Sequence, residues 1–253
     1  MRTVHALSGV VAVAAELSFI APVPAAPITW GSPTGISGDT DVDNTGTLFG
    51  ALNLGTSTST TVNGVGFTGL QLSGSSTTSG DFTFTAGGGF VNFLTSGSTA
   101  PPFSNLSSSY QTLLASIAGV QGATSTFTLT ISGLTIGNEY EFQWWSNNSG
   151  GDGAGGNPSK VVITATAANS VTLNANPIDF GGAVGQFAIG NFTAGATTEQ
   201  IAFSRAAGSD AFTFFNALQL RTIAVANVPE PSSLLLFTAG LLGLPIVRRK
   251  FRR

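Results

Sequence analysis

Between positions 27 and 227 the dominant pattern is alternation, one apolar residue followed by one polar residue. Phe127, Leu129 and Ile131 alternate with Thr126, Thr128 and Thr130. Tyr140, Phe142 and Trp144 alternate with Glu139, Glu141, Gln143 and Trp145, and the same period returns at Phe82/Phe84, Val161/Ile163, Phe187/Ile189, Ile201/Phe203 and Phe212/Phe214, then at Leu218/Leu220. A period of two predicts antiparallel strands with one face on a core and the other wet. Asn63-Gly64, Ser132-Gly133, Gly137-Asn138 and Gly181-Gly182 punctuate the runs as turn signals. The predicted fold class is all-β, a two-sheet antiparallel jelly-roll-like sandwich of about ten short strands. One segment departs from this period. Tyr110, Leu113, Leu114 and Ile117 stand at helical spacing behind Ser107, Ser108 and Ser109, which predicts one short helix with a serine N-cap.

Composition then narrows the chemistry. The 253 residues hold no Cys, and the one His and one Met are His5 and Met1. A Ser/His/Asp triad, a cysteine nucleophile, a zinc site of the usual ligand types and a haem ligand set are therefore unavailable to the body. Charged residues make up only 8% of the chain, and 33 Gly, 32 Thr and 27 Ser take their place. Five of the nine basic residues, Arg248, Arg249, Lys250, Arg252 and Arg253, fall in the last six positions. Positions 27 to 227 keep only Lys160, Arg205 and Arg221 against ten acids, a net charge of −7. Such a body has no basic stripe for phosphates, so nucleic acid is set aside as a partner.

Both ends read as addresses. Arg2 followed by the apolar stretch from Val10 to Ile20, then Val23-Pro24-Ala25, predicts a secretory signal helix over residues 1–25. Val228-Pro229-Glu230-Pro231 precedes an uncharged, mainly apolar run to Val247, and the basic cluster closes the chain. The run predicts an apolar helix just short of the ~20 residues that span a bilayer, with the basic end held inside. This order resembles the PEP-CTERM sorting signal of Gram-negative and related bacteria. The resemblance implies recognition by an exosortase, a membrane transpeptidase-like protease, and a link to exopolysaccharide and envelope delivery. It divides the chain into a signal at 1–25, a sandwich domain at 26–227 and a sorting and anchoring segment at 228–253.

Pieces of the body resemble a secreted bacterial module found attached to the same kind of tail. They are the segments 36–42, 61–65 with Phe67-Thr68-Gly69, 110–114, 185–194 and 216–221. This likeness implies a sandwich similar to galactose-binding-like and carbohydrate-binding modules, and it brings no catalytic residues.

Four constellations carry candidate chemistry. Asp39, Asp41 and Asp43 would share one face of a strand and offer oxygens to a structural calcium, or else form an acidic sheet-edge turn. Gly151-Asp152-Gly153-Ala154-Gly155-Gly156 fits G-x-G-x-x-G in letters only, because a strand rather than a helix follows, so a rim loop is expected. Trp145 should point away from the face of Trp144; outside the core it could stack on a sugar ring, with Asn147, Asn148 and Asp152 bonding hydroxyls, unless a covering loop buries it. Glu139 and Glu141 share a strand face at a spacing that hydrolysis of a glycoside permits, although catalytic pairs normally flank the substrate. The expectation is a non-enzymatic exported sandwich with a structural or exopolysaccharide-binding role. The alternatives are a carboxylate-dependent polysaccharide hydrolase and a permanently membrane-anchored surface protein.

Overall fold

The computed structural model describes residues 27–93, 97–122, 126–150, 160–165, 169–178, 180–205 and 212–224. The signal expected at 1–25 and the apolar helix expected after Pro231 lie outside the described residues, as does the loop 151–159. In chain order the elements are β1 (Thr29–Trp30), β2 (Thr34–Gly35), β3 (Thr47–Leu54), β4 (Thr60–Val62), β5 (Val65–Leu70), β6 (Ser76–Ser79), β7 (Phe82–Ala86) and β8 (Phe90–Phe93). Then come α1 (Ser108–Leu114), β9 (Ile117–Gln121), β10 (Thr126–Ile131), β11 (Glu139–Ser146), β12 (Lys160–Ala165) and β13 (Ser170–Asn174). The last are β14 (Gln186–Thr193), β15 (Glu199–Arg205), β16 (Phe212–Phe215) and β17 (Ala217–Ala224).

These strands build the predicted all-β sandwich. One sheet runs β1-β14-β11-β17-β3-β5-β4, with β2 also paired to β14, and the other runs β13-β12-β15-β10-β7-β6. Two features were not in the periodicity. A third sheet of three strands, β16-β9-β8, joins them, and β3 pairs with β5 in parallel. Helix α1 forms where the spacing placed it, with Ser107 Oγ accepting from Tyr110 N at 3.1 Å. It ends at Leu114, and Ile117, read as its last apolar position, opens β9 instead. The Asn63-Gly64 turn has positive φ at both residues (48° and 79°), the backbone a tight two-residue hairpin between β4 and β5 requires.

The main core lies between the facing sheets. Tyr140, Phe142 and Trp144 of β11 meet Phe84, Phe127, Leu129 and Phe203 of the second sheet. Its aromatic centre is a stack of Phe127, Phe203 and Phe215, with ring centroids 4.7–5.1 Å apart and Trp144 set edge-on to Phe203 at 5.3 Å. Each fully buried ring of this kind contributes about 1.5–3 kcal/mol through area removed from water. On the outer face of the second sheet, register aligns Thr78, Thr83, Thr130 and Gln200 in one row, and Ser76, Thr85, Thr128 and Ala202 in the next. That face is hydroxyl-rich and uncharged along both rows.

Candidate functional site

The outer face of the first sheet is not wet. Residues 36–46, helix α1 and the β4–β5 hairpin cover it, and a second apolar cluster forms there from Ile36, Val42, Val62, Phe67, Tyr110, Leu113, Leu114, Trp145, Phe187 and Ala217. Trp145 does point away from the face of Trp144, as alternation requires, but it is 0% exposed. The stacking role expected of it is therefore corrected. Phe67 meets the indole edge-on at 5.7 Å, and Nε1 donates to Tyr110 Oη at 3.0 Å. Tyr110 Oη in turn donates to Asp41 Oδ2 at 3.2 Å. Burial, reinforced by the nearby Asp41 carboxylate, holds the Tyr110 hydroxyl well above its ordinary pKa, so it remains a donor.

Asp39, Asp41 and Asp43 are not on a strand. Asp39–Asp41 is a turn of 3₁₀ helix, and each of the three carboxylates accepts hydrogen bonds from the protein. Asp41 accepts from Ser37 N and Ser37 Oγ, both at 2.6 Å, and from Gly38 N at 3.0 Å. Asp39 accepts from Ser107 Oγ at 2.6 Å, and Asp43 from Thr45 N at 2.6 Å. Among the described residues no group of three or more His, Cys, Asp or Glu is placed to hold a metal ion. Of the two expectations for these residues, one strand face or an acidic turn, the structure has the turn, built into a hydrogen-bonded strap.

Asn147 is also structural. It is 0% exposed; its N–H donates to Asn216 Oδ1 at 2.6 Å, and its Oδ1 accepts from Ser149 Oγ and Gly185 N. Asn216 Nδ2 donates to the carbonyls of Leu114, Ser116 and Asn147 at 2.8–3.1 Å. The two asparagines thus tie the ends of α1, β11 and β16 together. Asn148 is half-buried at the rim, and Asp152 lies outside the described residues.

A polar row crosses the covered face. Gln143 accepts from Asp43 N through Oε1 (3.0 Å) and from Gln219 Nε2 (2.6 Å), and its own Nε2 donates to Asp41 O. The Arg221 guanidinium donates to the carbonyls of Thr45, Asn44 and Gly46. Glu141 sits opposite Arg221 in the β11–β17 register, only 8% exposed, and its Oε1 has no protein partner. Burial, with Asp43 adding to it and Arg221 opposing, pushes its carboxyl up to about 7. Glu139, its presumed companion, is exposed. The two glutamates share a face yet stand in different surroundings, one under the strap and one in water.

Five large apolar side chains are exposed among the described residues (Leu48, Phe93, Ile136, Ile178 and Phe180), and the pattern reading marked none of them; the two most exposed share one loop. Ile178 (69% exposed) and Phe180 (60%) project from the β13–β14 loop, at the rim that also holds Asn148. The available signal was an apolar pair inside a loop marked by Asn176, Pro177 and Gly181-Gly182.

Comparison with known proteins adds one specific match. The PEP-CTERM protein-sorting motif is found at residues 227–253, which include Val228, Pro229, Glu230, Pro231 and the basic cluster at 248–253. Fold and tail define the class: a β-sandwich with a C-terminal sorting signal, implying an exported protein handled by an exosortase. No curated protein matches the chain. A solved structure described as "Structural basis for the promiscuous specificity of the carbohydrate-binding modules from the beta-sandwich super family" is similar at 13% identity and a TM-score of 0.16. That match covers 59% of this chain and 66%, just under two thirds, of the other.

Proposed function

We propose that this protein is a non-enzymatic component of the cell envelope or extracellular matrix that binds exopolysaccharide. The sorting motif at 227–253 carries the reading, because a protein addressed to the envelope would meet secreted polymers there. The hydroxyl-rich face of the second sheet supports it, since rows of Thr and Ser offer donors and acceptors to sugar hydroxyls without fixed charge. The described polar groups of the covered face are turned inward, to the strap, the helix end and the strand ends. Binding to purified exopolysaccharides in a pulldown tests the proposal; failure to bind any of them leaves a purely structural role in the matrix.

A hydrolase is the second reading, favoured by the Glu141 carboxyl, which near pH 7 is held partly protonated as a general acid must be. Its test is turnover of polysaccharide by the wild type that is lost in Glu141→Gln. Absence of turnover on every polymer tried counts against it.

A further inference from the structure

At the rim beyond the end of β11 the exposed aromatic is not Trp145 but Phe180, on the β13–β14 loop. We infer that Phe180, with Ile178 beside it, is the platform on which one ring of a neutral polysaccharide stacks. This inference rests on the glycan-binding reading and gives it a place.

The backbone of Phe180 is tied on both sides. Asn176 Nδ2 donates to Asn148 O at 3.0 Å and to Phe180 O at 3.1 Å, while Asn176 Oδ1 accepts from Phe180 N at 3.3 Å. Ala183 N donates to Phe180 O, Gly182 N to Ser149 O, and Asn148 N to Ala175 O, at 2.8–3.0 Å. One buried amide therefore clamps the Phe180 backbone against Asn148, so the ring is displayed from an ordered base at little entropic cost on binding. Asn148, half-buried and tied to the same Asn176 amide through its carbonyl, is the nearby residue whose side-chain amide would meet a ring hydroxyl.

Size and charge select the occupant. Two side chains of this kind expose on the order of 200–300 Å², against about 800 Å² per partner in a stable protein interface. A sugar ring fits that area and a second copy of the chain does not. The body's net charge of −7 between positions 27 and 227 repels anionic polymers, and the uncharged Phe180 and Ile178 side chains offer stacking rather than an ion pair, which suits a neutral ring. Position agrees as well. Ala224, the last described residue before the tail, pairs with Glu139 at the start of β11, whereas Asn148 follows the other end of that strand, about 25 Å away. The platform thus lies at the opposite end of β11 from Ala224.

The test uses the full chain in detergent, run on native gels containing galactomannan, hydroxyethylcellulose or alginate. The wild type should be retarded by at least one neutral polymer and not by alginate. Phe180→Ala should weaken that binding at least tenfold with no change in thermal midpoint, and Phe180→Trp should keep or strengthen it. Wild-type binding left intact by Phe180→Ala overturns the platform while sparing the glycan reading. Stronger retardation by alginate overturns the choice of a neutral ligand, and no retardation by any polymer removes the glycan reading together with this inference.

Discussion

Trp145 and Tyr110 are joined by one buried hydrogen bond, indole Nε1–H to phenol Oη at 3.0 Å, and the same phenol donates onward to Asp41. This pair fixes α1 and the 36–46 strap onto the first sheet. Tyr110→Phe keeps the ring but leaves the indole N–H buried without a partner. The expected loss is about 1–3 kcal/mol, the cost of an unsatisfied buried donor, read as a lower urea midpoint at unchanged m-value.

Much of the fold was legible because alternation reports which face of a strand meets the core. Phe127, Leu129 and Ile131 against Thr126, Thr128 and Thr130 read correctly, as did the Ser107 cap and the Asn63-Gly64 turn. The fate of the other face of β11 was not legible. Alternation turned Trp145 outward, but whether "outward" meant water depended on α1 and the strap, which arrive from 35 and more than 100 residues away. For the same reason three spaced aspartates resembled a cation loop, when their partners are Ser37, Thr45, Ser107 and Tyr110. Phe180 had no period to reveal it, since it belongs to a loop.

Asn216 offers a second test of how the layers are tied. Its Nδ2 serves three carbonyls and its Oδ1 accepts the Asn147 N–H. Asn216→Asp replaces that donor with acceptors facing carbonyl oxygens in a buried site. It should destabilise by more than about 3 kcal/mol and yield little folded protein, with Asn216→Ala less severe. Circular dichroism melts of both variants check the ranking.

Glu141 gives the protein a pH dependence of definite sign. Its folded pKa, about 7, lies above the ordinary 4.5, so the folded state holds its proton more tightly than the unfolded chain does. This group's contribution is fully present below about pH 4.5 and is lost as pH rises through about 7, at up to about 1.4 kcal/mol per unit within that window. Glu141→Gln should match the wild type near pH 4 and exceed its melting temperature at pH 8. A wild-type-minus-variant difference that stays flat from pH 4 to 8 contradicts the burial of this carboxyl under the strap.

The tail at 227–253 is a sorting address for an exported sandwich. The most direct measurement is the intact mass of the protein recovered from the envelope and medium of cells that possess an exosortase. The expected product lacks the basic residues 248–253, and a full-length form accumulates when the exosortase is deleted. A full-length chain retaining Arg253 in the cytosol, identical with and without the exosortase, contradicts it.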